Sequence, residues 1–276
     1  MIIRSSLAGV GRSTDLVDLL GVRKLPPATI PMDPGLAPVT LEGHLAQSAA
    51  LMAGLKISMA GWLIAEESAT RRKIAAAKAD GVPTISGGGP LEIALAQGRL
   101  IEFLDLCGEL GFDRVEYGES LATSNLDAQT MIGLASERGL DVQFELGRKH
   151  GGPMTPAEAA ELVEGGRAWL DGGAVAVVIE ARESAENVGL FDADGFLNED
   201  LTTYLAEGLG LERVVFEAPT KPSQFALLDH LGPEIRLGNV RLEELLRVEI
   251  YRRGLHTDAY AVERLRPAHA NPEVLR

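Results

Sequence analysis

The sequence predicts a single (β/α)8 barrel with a parallel sheet. Short apolar, β-rich runs alternate with helical patterns eight times along the chain. Each run closes on a polar or glycine residue, and no shift in composition divides the 276 residues. That length suits one barrel of about 250 residues. An open, doubly wound sheet is the alternative, but it calls for a glycine fingerprint in the first strand-to-helix turn. That turn reads Asp33-Pro34-Gly35-Leu36-Ala37-Pro38 and cannot form one. The whole chain, 1–276, is read as one domain. Residues 1–27 form an N-terminal extension outside the repeat, and 267–276 a loose polar tail.

The elements follow in order. Strand one is Ala28–Met32, ending at Asp33, with a helix over Leu41–Ala53. Strand two is Leu55–Ser58, with a helix over Glu66–Ala79. Strand three, Pro83–Ser86, runs into Gly87-Gly88-Gly89 and a long helix, Leu91–Leu110. Strand four is Arg114–Tyr117, with a helix over Leu126–Arg138. Strand five, Asp141–Leu146, leads to the loop Gly147-Arg148-Lys149-His150-Gly151-Gly152. The helix after that loop has its start written in the sequence: Thr155 as N-cap, Pro156 in the first turn and Glu158 three residues after the cap. Strand six, Ala174–Ile179, has no polar face, the pattern of a strand covered on both sides. Strand seven is Arg213–Phe216, strand eight Ile235–Leu237, and a last helix spans Leu242–Arg252.

Composition excludes several classes of function. The chain is 46% hydrophobic but only 5% aromatic, a mix that suits buried parallel strands and their covering helices. Its net charge of −14 repels nucleic acid and anionic membrane, so neither is an expected partner. Small anionic substrates stay possible only with local cations or a metal ion. The single cysteine, Cys107, allows no intrachain disulfide and fits a reducing cytoplasm. It lies in an apolar helical run and reads as a small core residue. The first residues lack the apolar core of a signal peptide, and no run approaches the ~20 apolar residues of a membrane span. A cytoplasmic location is therefore expected.

In a barrel of this kind the C-terminal strand ends carry the active site. Here they present Asp33, Lys56 with Ser58, Ser86 with the glycines, Glu116, Glu145, Glu180, Glu217 and Asn239, and just beyond them Arg148, Lys149, Arg182, Glu183 and Lys221. A carboxylate closing a buried strand costs several kcal/mol if left unpaired. Each Glu also reads as only a partner for nearby Arg and Lys, holding loops in place. A ring of carboxylates and cations around one mouth is also what a metal-assisted site needs. Oxygen ligands without His or Cys favour Mg2+ over zinc. Gly87, Gly88 and Gly89 can offer backbone N–H groups to an anion ahead of a helix N-terminus, or simply make a tight turn. His150 is the histidine nearest the mouth. No nucleophile elbow, catalytic-cysteine context or phosphate-loop lysine motif is present. A Schiff-base aldolase built on Lys56 is the natural rival on this fold.

Five blocks of residues resemble the phosphosulfolactate synthase family. They are Glu145-Leu-Gly-Arg-Lys149, Ile179-Glu-Ala-Arg-Glu-Ser184, Gly189-Leu-Phe-Asp192, Phe216-Glu-Ala-Pro219 with Lys221 and Gln224, and Glu249 with Arg252-Arg-Gly-Leu255. The resemblance keeps its register from about Thr29 to Asp258. It implies a (β/α)8 barrel that adds sulfite to phosphoenolpyruvate with Mg2+, giving phosphosulfolactate, a lyase-class reaction. It implies Glu145, Glu180, Glu217 and Asp33 as metal candidates and Lys149 as the acid that protonates C2. Lys56 and Glu180 join Lys149 as catalytic candidates. Arg182, Lys221 and Arg148 would bind anionic groups, with Gly87, Gly88 and Asn239 near phosphate or carboxylate. A homo-oligomer is expected.

The resemblance weakens over the first four strands. Pro34 stands where the family has Lys after the strand-one Asp. Ile57-Ser-Met-Ala60 replaces Phe-Gly-Trp-Gly, Pro90 replaces Thr, and Gly118-Glu119-Ser120 replaces Ser-Asp-Gly. Two other readings therefore stay open: a divergent member acting on another small carboxylate or phosphate, and a non-catalytic barrel subunit.

Overall fold

The computed structural model describes residues 12–118 and 126–268. Eight parallel strands close into one barrel in sequence order: β1 (Thr29–Asp33), β2 (Leu55–Ile57), β3 (Thr84–Ser86), β4 (Arg114–Gly118), β5 (Asp141–Leu146), β6 (Ala176–Ile179), β7 (Val214–Glu217) and β8 (Arg236–Arg241). The expected barrel is thus the observed one. The helices are α1 (Ser13–Leu19), α2 (Pro38–Ser48), α3 (Gly61–Ile64), α4 (Glu67–Ala79), α5 (Gly88–Ala96), α6 (Leu100–Leu110), α7 (Ala128–Ser136), α8 (Pro156–Asp171), α9 (Glu199–Leu209), α10 (Lys221–Leu231), α11 (Leu245–Arg252) and α12 (Thr257–Ala261). Of the N-terminal extension, residues 12–27 are described and carry α1. Residues 1–11, and 269–276 of the expected tail, lie outside the described residues, as do Glu119 and Ser120.

The two faces of each strand have different tasks. Facing the helices, Val115, Tyr117, Val142, Phe144, Leu146, Val177, Ile179, Val214 and Phe216 join one large buried apolar cluster. Facing the barrel axis, Ile30, Ile85, Ala176, Val178 and Val215 form a separate plug. Register ties the polar interior residues to that same face: Lys56 pairs with Ile85, Glu116 with Gln143, and Glu145 with Val178. Because side chains alternate along a strand, residues two apart share a face. The plug therefore supports Lys56, Glu116, Glu145, Glu180 and Glu217 above it, at the C-terminal rim.

The opposite rim is closed by a buried ionic knot. Thr29 donates its hydroxyl to Glu249 at 2.5 Å, and Arg252 reaches Glu249 at 3.2 Å and the Ile235 carbonyl at 2.6 Å. Arg252 and Glu249 are almost fully buried, and Arg253 pairs with Glu249 as well. This block joins the first and last strands of the barrel, so its place in the fold is structural.

Several boundaries differ from expectation. The long helix Leu91–Leu110 is two helices. Gly98, at φ +67°, takes the left-handed conformation, and Arg99 N–H returns to the Ala94 carbonyl at 2.7 Å, ending α5 in a C-terminal cap. The glycines expected ahead of a helix partly lie inside it, Gly88 and Gly89 being the first two residues of α5. The capping box of α8 is as expected, with Thr155 accepting from Glu158 N–H and Glu158 accepting from Thr155 N–H. Cys107 is buried in α6, and burial pushes its thiol up to about 12, which keeps it inert.

Candidate active site at the C-terminal rim

A cavity of about 570 Å³ opens at the C-terminal ends of the strands. Its lining includes Met32, Lys56, Met59, Gly87, Gly88, Glu116, Glu145, Lys149, His150, Glu180, Arg182, Glu217 and Asn239. Residues from all eight strands or their following loops thus meet at one mouth.

Two lysines organise the carboxylates. Lys56 Nζ lies 2.6 Å from Glu116 and 3.5 Å from Glu217. Lys149 Nζ lies 3.3 Å from Glu145 and 3.6 Å from Glu180. Burial works against the Lys56 ammonium, but Glu116, Glu217 and Glu145 outweigh it and hold its pKa above the ordinary lysine range. The same balance, with Glu145 and Glu180 as partners, keeps Lys149 protonated. A Schiff-base lysine needs the opposite, a depressed pKa and a free amine. The aldolase role expected as a rival therefore finds no support at Lys56, whose position suits charge neutralisation.

The four glutamates differ in how well they are matched. Burial opposes ionisation of Glu116, yet Lys56 and a 2.7 Å hydrogen bond from Gln143 pull its pKa below the usual value. Burial drives Glu145 well above the usual range, reinforced by Glu116 and Glu180. Burial and the charge of Glu217 lift Glu180 to about 7. Burial lifts Glu217 to about 7 against the pull of Lys56. Glu217 is held by the Ala181 N–H at 3.0 Å and by the Asn239 amide. Glu180 accepts from Arg182 N–H through one oxygen, while its buried Oε2 accepts no hydrogen bond, nor does Asn239 Oδ1. Arg182 and Asn239 themselves sit at φ +56° and +52°, backbone conformations uncommon outside glycine.

The loops carrying Lys149 and Arg182 are tied together. Gly189 N–H donates to the Gly152 carbonyl at 3.0 Å and Met154 N–H to the Gly189 carbonyl at 2.7 Å. Gly189 has φ +54°, and a Cβ there would stand 2.7 Å from the Glu180 carbonyl oxygen, so glycine is required. Asp192 then pins the turn by accepting from Asp194 and Phe196 N–H groups.

Not every expected site residue reaches the cavity. Asp33 is buried away from the lining, with Lys73 at 2.6 Å and the N–H groups of Gly35 and Leu36 on its other oxygen. It anchors the turn after β1. Arg148 points to a separate pocket of about 90 Å³ with Gly151, Gly152 and Glu158. Lys221 is exposed at the start of α10, its ammonium 5.0 Å from the Phe225 ring centre. Gly87 and Gly88 do line the cavity, but Gly88 N–H donates to Glu116 at 3.2 Å. The positive end of α5 thus already faces a carboxylate, and Pro90 has no N–H to add.

Sequence reasoning passed over three residues. Gln143 lies two positions before Glu145, so strand alternation alone places both in the barrel. Glu92 is buried on α5. It adds to the negative field at Lys149, and its carboxyl oxygen would lie 3.3 Å from a Cβ built on Gly118, where Glu145 would lie at 3.2 Å. Lys73 lacked a signal, because its helix looks solvent-facing until packed on β1.

Among the described residues no three His, Cys, Asp or Glu side chains converge as a ready-made metal cluster. A caged ion bound by four protein carboxylates is therefore not what this rim is built for. The donor set does fit a hard divalent cation held through one or two carboxylates plus water and substrate oxygens, the usual manner of Mg2+. Glu180, whose Oε2 accepts no hydrogen bond, together with either Glu145 or Glu217, is available for it.

Residues 27–258 match the model of the (2R)-phospho-3-sulfolactate synthase (ComA) family. A phosphosulfolactate synthase from Methanocaldococcus jannaschii is 30% identical over 233 residues, covering 84% of this chain and 93% of that protein. Its counterpart from Methanothermobacter thermautotrophicus is 28% identical, covering 83% and 90%. One from Bacillus subtilis is 26% identical, covering 68% and 75%. Among solved structures, the carboxyl transferase domain of Rhizobium etli pyruvate carboxylase superposes with TM-score 0.57 at 10% identity, covering 97% of this chain and 50% of that one. The YdjI aldolase of Escherichia coli gives 0.50 at 13% identity, covering 89% and 94%. At such identities both show the barrel fold alone.

Proposed function

The chain belongs to the (2R)-phospho-3-sulfolactate synthase family, and from that premise we propose that it adds a nucleophile to the double bond of a small enol carboxylate, with Mg2+, as a lyase. Sulfite and phosphoenolpyruvate are the first pair to test. The observation that carries this reading is the mismatch at the cavity floor. Glu116, Glu145, Glu180 and Glu217 surround two lysines, and the buried Oε2 of Glu180 accepts no hydrogen bond, with the Lys149 ammonium 3.6 Å away. Such a group in a native structure calls for a missing partner.

When bound, Mg2+ would neutralise the substrate carboxylate and stabilise the charge that develops there. Glu180, with Glu145 or Glu217, would hold it. Sulfur of the nucleophile bonds to the methylene carbon, and the displaced electron pair moves toward the carboxylate. Lys149 holds a proton on Nζ at the cavity wall and delivers it to C2, completing the addition. Arg182, exposed at the mouth and without an ion-pair partner among the described residues, receives an anionic group of the substrate. Lys56 keeps Glu116 and Glu217 from repelling it.

The test is an assay of the purified protein with phosphoenolpyruvate, sulfite and Mg2+, following the adduct by mass spectrometry with and without chelator. Adduct that vanishes with chelator supports the reading. No adduct from a folded protein that binds Mg2+ moves the search to other small carboxylates. That second reading has its own observation: the β1 and β2 side of the cavity is walled by Met32 and Met59.

A further inference from the structure

A polar column passes through the apolar plug of the barrel. Arg114 stands in register with Ile85, and Gln143 with Glu116 on one side and Ala176 on the other. Ile85 and Ala176 belong to the plug, so Arg114 and Gln143 point to the barrel axis below the rim. Arg114 Nη1 donates to Gln143 Oε1 at 3.1 Å, and Gln143 Nε2 donates to Glu116 Oε2 at 2.7 Å. The other oxygen of Glu116 takes Lys56 Nζ at 2.6 Å and the Gly88 N–H at 3.2 Å. The column thus runs from the first residue of β4 to an ammonium that lines the cavity, while Arg114 and Gln143 themselves do not line it.

The chemistry of each group fixes its direction. A guanidinium donates, a carboxylate accepts, and an amide does both. With Arg114 on one side, Gln143 must turn its carbonyl toward that guanidinium and its NH2 toward Glu116. Gln143 and Glu116 are both buried, beside a plug of Ile85, Ala176, Val178 and Val215. An amide in such a layer is costly unless both its ends are bonded, and an apolar side chain would fill the space without that cost. What the amide adds is a grip on Glu116. It holds Oε2, while Lys56 and Gly88 hold Oε1, so the carboxylate plane cannot turn. Without Gln143 that plane would be free to rotate, and Lys56 would lose its fixed partner. Glu217, 3.5 Å from the same ammonium, is the competing carboxylate.

We propose that Gln143, oriented by Arg114, is a positioning residue for Lys56. It locks Glu116 so that the ammonium stays at the cavity wall instead of being drawn to Glu217. The kinetic consequence rests on the reading of the rim as the site that joins sulfite to phosphoenolpyruvate; the geometric consequence stands apart from it.

The first arm of the test needs no substrate. In heteronuclear NMR of the intact protein, the Lys56 ammonium should give a slowly exchanging resonance, assigned by its loss in Lys56→Met. Gln143→Leu and Arg114→Met should each speed its hydrogen exchange by about tenfold or more, the sign of local opening. Arg114→Lys keeps a donor for Gln143 and should restore slow exchange. The second arm is kinetic, with phosphoenolpyruvate, sulfite and Mg2+. Gln143→Leu should lower kcat/KM by about 10²-fold, the scale of a small misplacement of a positioned group. Arg114→Met should follow it, and Arg114→Lys should recover most of the loss. In a Lys56→Met background Gln143→Leu should change kcat/KM no further, because it acts through Lys56. Unchanged exchange and full activity in both Gln143→Leu and Arg114→Met would overturn the positioning role and leave the activity standing. A full additional loss in the Lys56→Met background would also overturn it, making Gln143 a packing residue. If the unaltered protein forms no adduct, the activity falls, and the exchange of the Lys56 ammonium alone decides the positioning.

Discussion

The two halves of the barrel mouth carry similar residue types but dispose of their charge differently. On the β1 to β4 side every strand-end carboxylate is matched. Asp33 is closed by Lys73 and two backbone N–H groups, and Glu116 by Lys56, Gln143 and Gly88. On the β5 to β8 side Glu145, Glu180 and Glu217 share cations incompletely, Glu180 Oε2 and Asn239 Oδ1 accept no hydrogen bond, and Arg182 and Asn239 adopt left-handed backbone. The first half uses its charges to fix turns and a helix end. The second half leaves part of its charge unmatched at the cavity. The same residue type, a glutamate at a strand end, is thus fully or only partly matched according to its count of donors.

That contrast can be broken by mutation. The largest expected effect is on turnover: Lys149→Ala should lower kcat by about 10²–10⁴-fold, the usual contribution of a positioned proton donor, with little change in KM. Steady-state kinetics on the assay above would check it, and full turnover in the variant would remove Lys149 from the mechanism. Next in size is Lys56→Met. It leaves Glu116 buried without its cation, which should cost about 3–5 kcal/mol in a urea unfolding experiment. The double variant Lys56→Met with Glu116→Gln should recover part of that loss; additive losses would mean the pair does not act as a unit.

Asp33→Asn sharpens the comparison from the structural side. It should destabilise the protein by about 3–5 kcal/mol by stranding Lys73. Mg2+ affinity by calorimetry should stay within about twofold, since Asp33 does not line the cavity. A large loss of affinity without a loss of stability would return Asp33 to the metal set.

The unmatched half should also show in pH dependence. Glu180 and Glu217 are raised from an ordinary 4.5 to about 7. At pH between those values the folded state binds more protons than the unfolded one. Stability without metal should therefore be fullest below about 4.5 as far as these groups are concerned, and fall as pH rises through 7. A cation that binds the ionised carboxylates should raise Tm more at pH 8 than at pH 6. Thermal melts with Mg2+ and with chelator would check this, and equal shifts at both pH values would contradict it. The smallest effect lies outside the mouth: Thr155→Ala should cost about 1 kcal/mol through the lost cap of α8, leaving ligand binding unchanged.

Much of the fold was legible because its signals are local. The apolar run of β6, the capping box at Thr155 and the recurrence of strand and helix need no knowledge of distant residues. Within the candidate site, the strand ends gave Lys56, Glu145, Lys149, Glu180, Arg182, Glu217 and Asn239, and the barrel topology brings them to one cavity. Arg148 and Lys221 were read as neighbours of the mouth from their position after a strand. Loop direction sends one to a separate pocket and leaves the other exposed over Phe225.

The sequence by itself determined the alternation of strands and helices, and which residues stand at strand ends, because hydrophobic period and strand pleat are properties of neighbours along the chain. Only the tertiary structure decided which charges are already matched. Lys73 reaches Asp33 across 40 positions, Gln143 reaches Glu116 across 27, and Lys56 reaches Glu217 across 161. Electrostatic pairing depends on distance in space and on burial, and closing the barrel sets both at once.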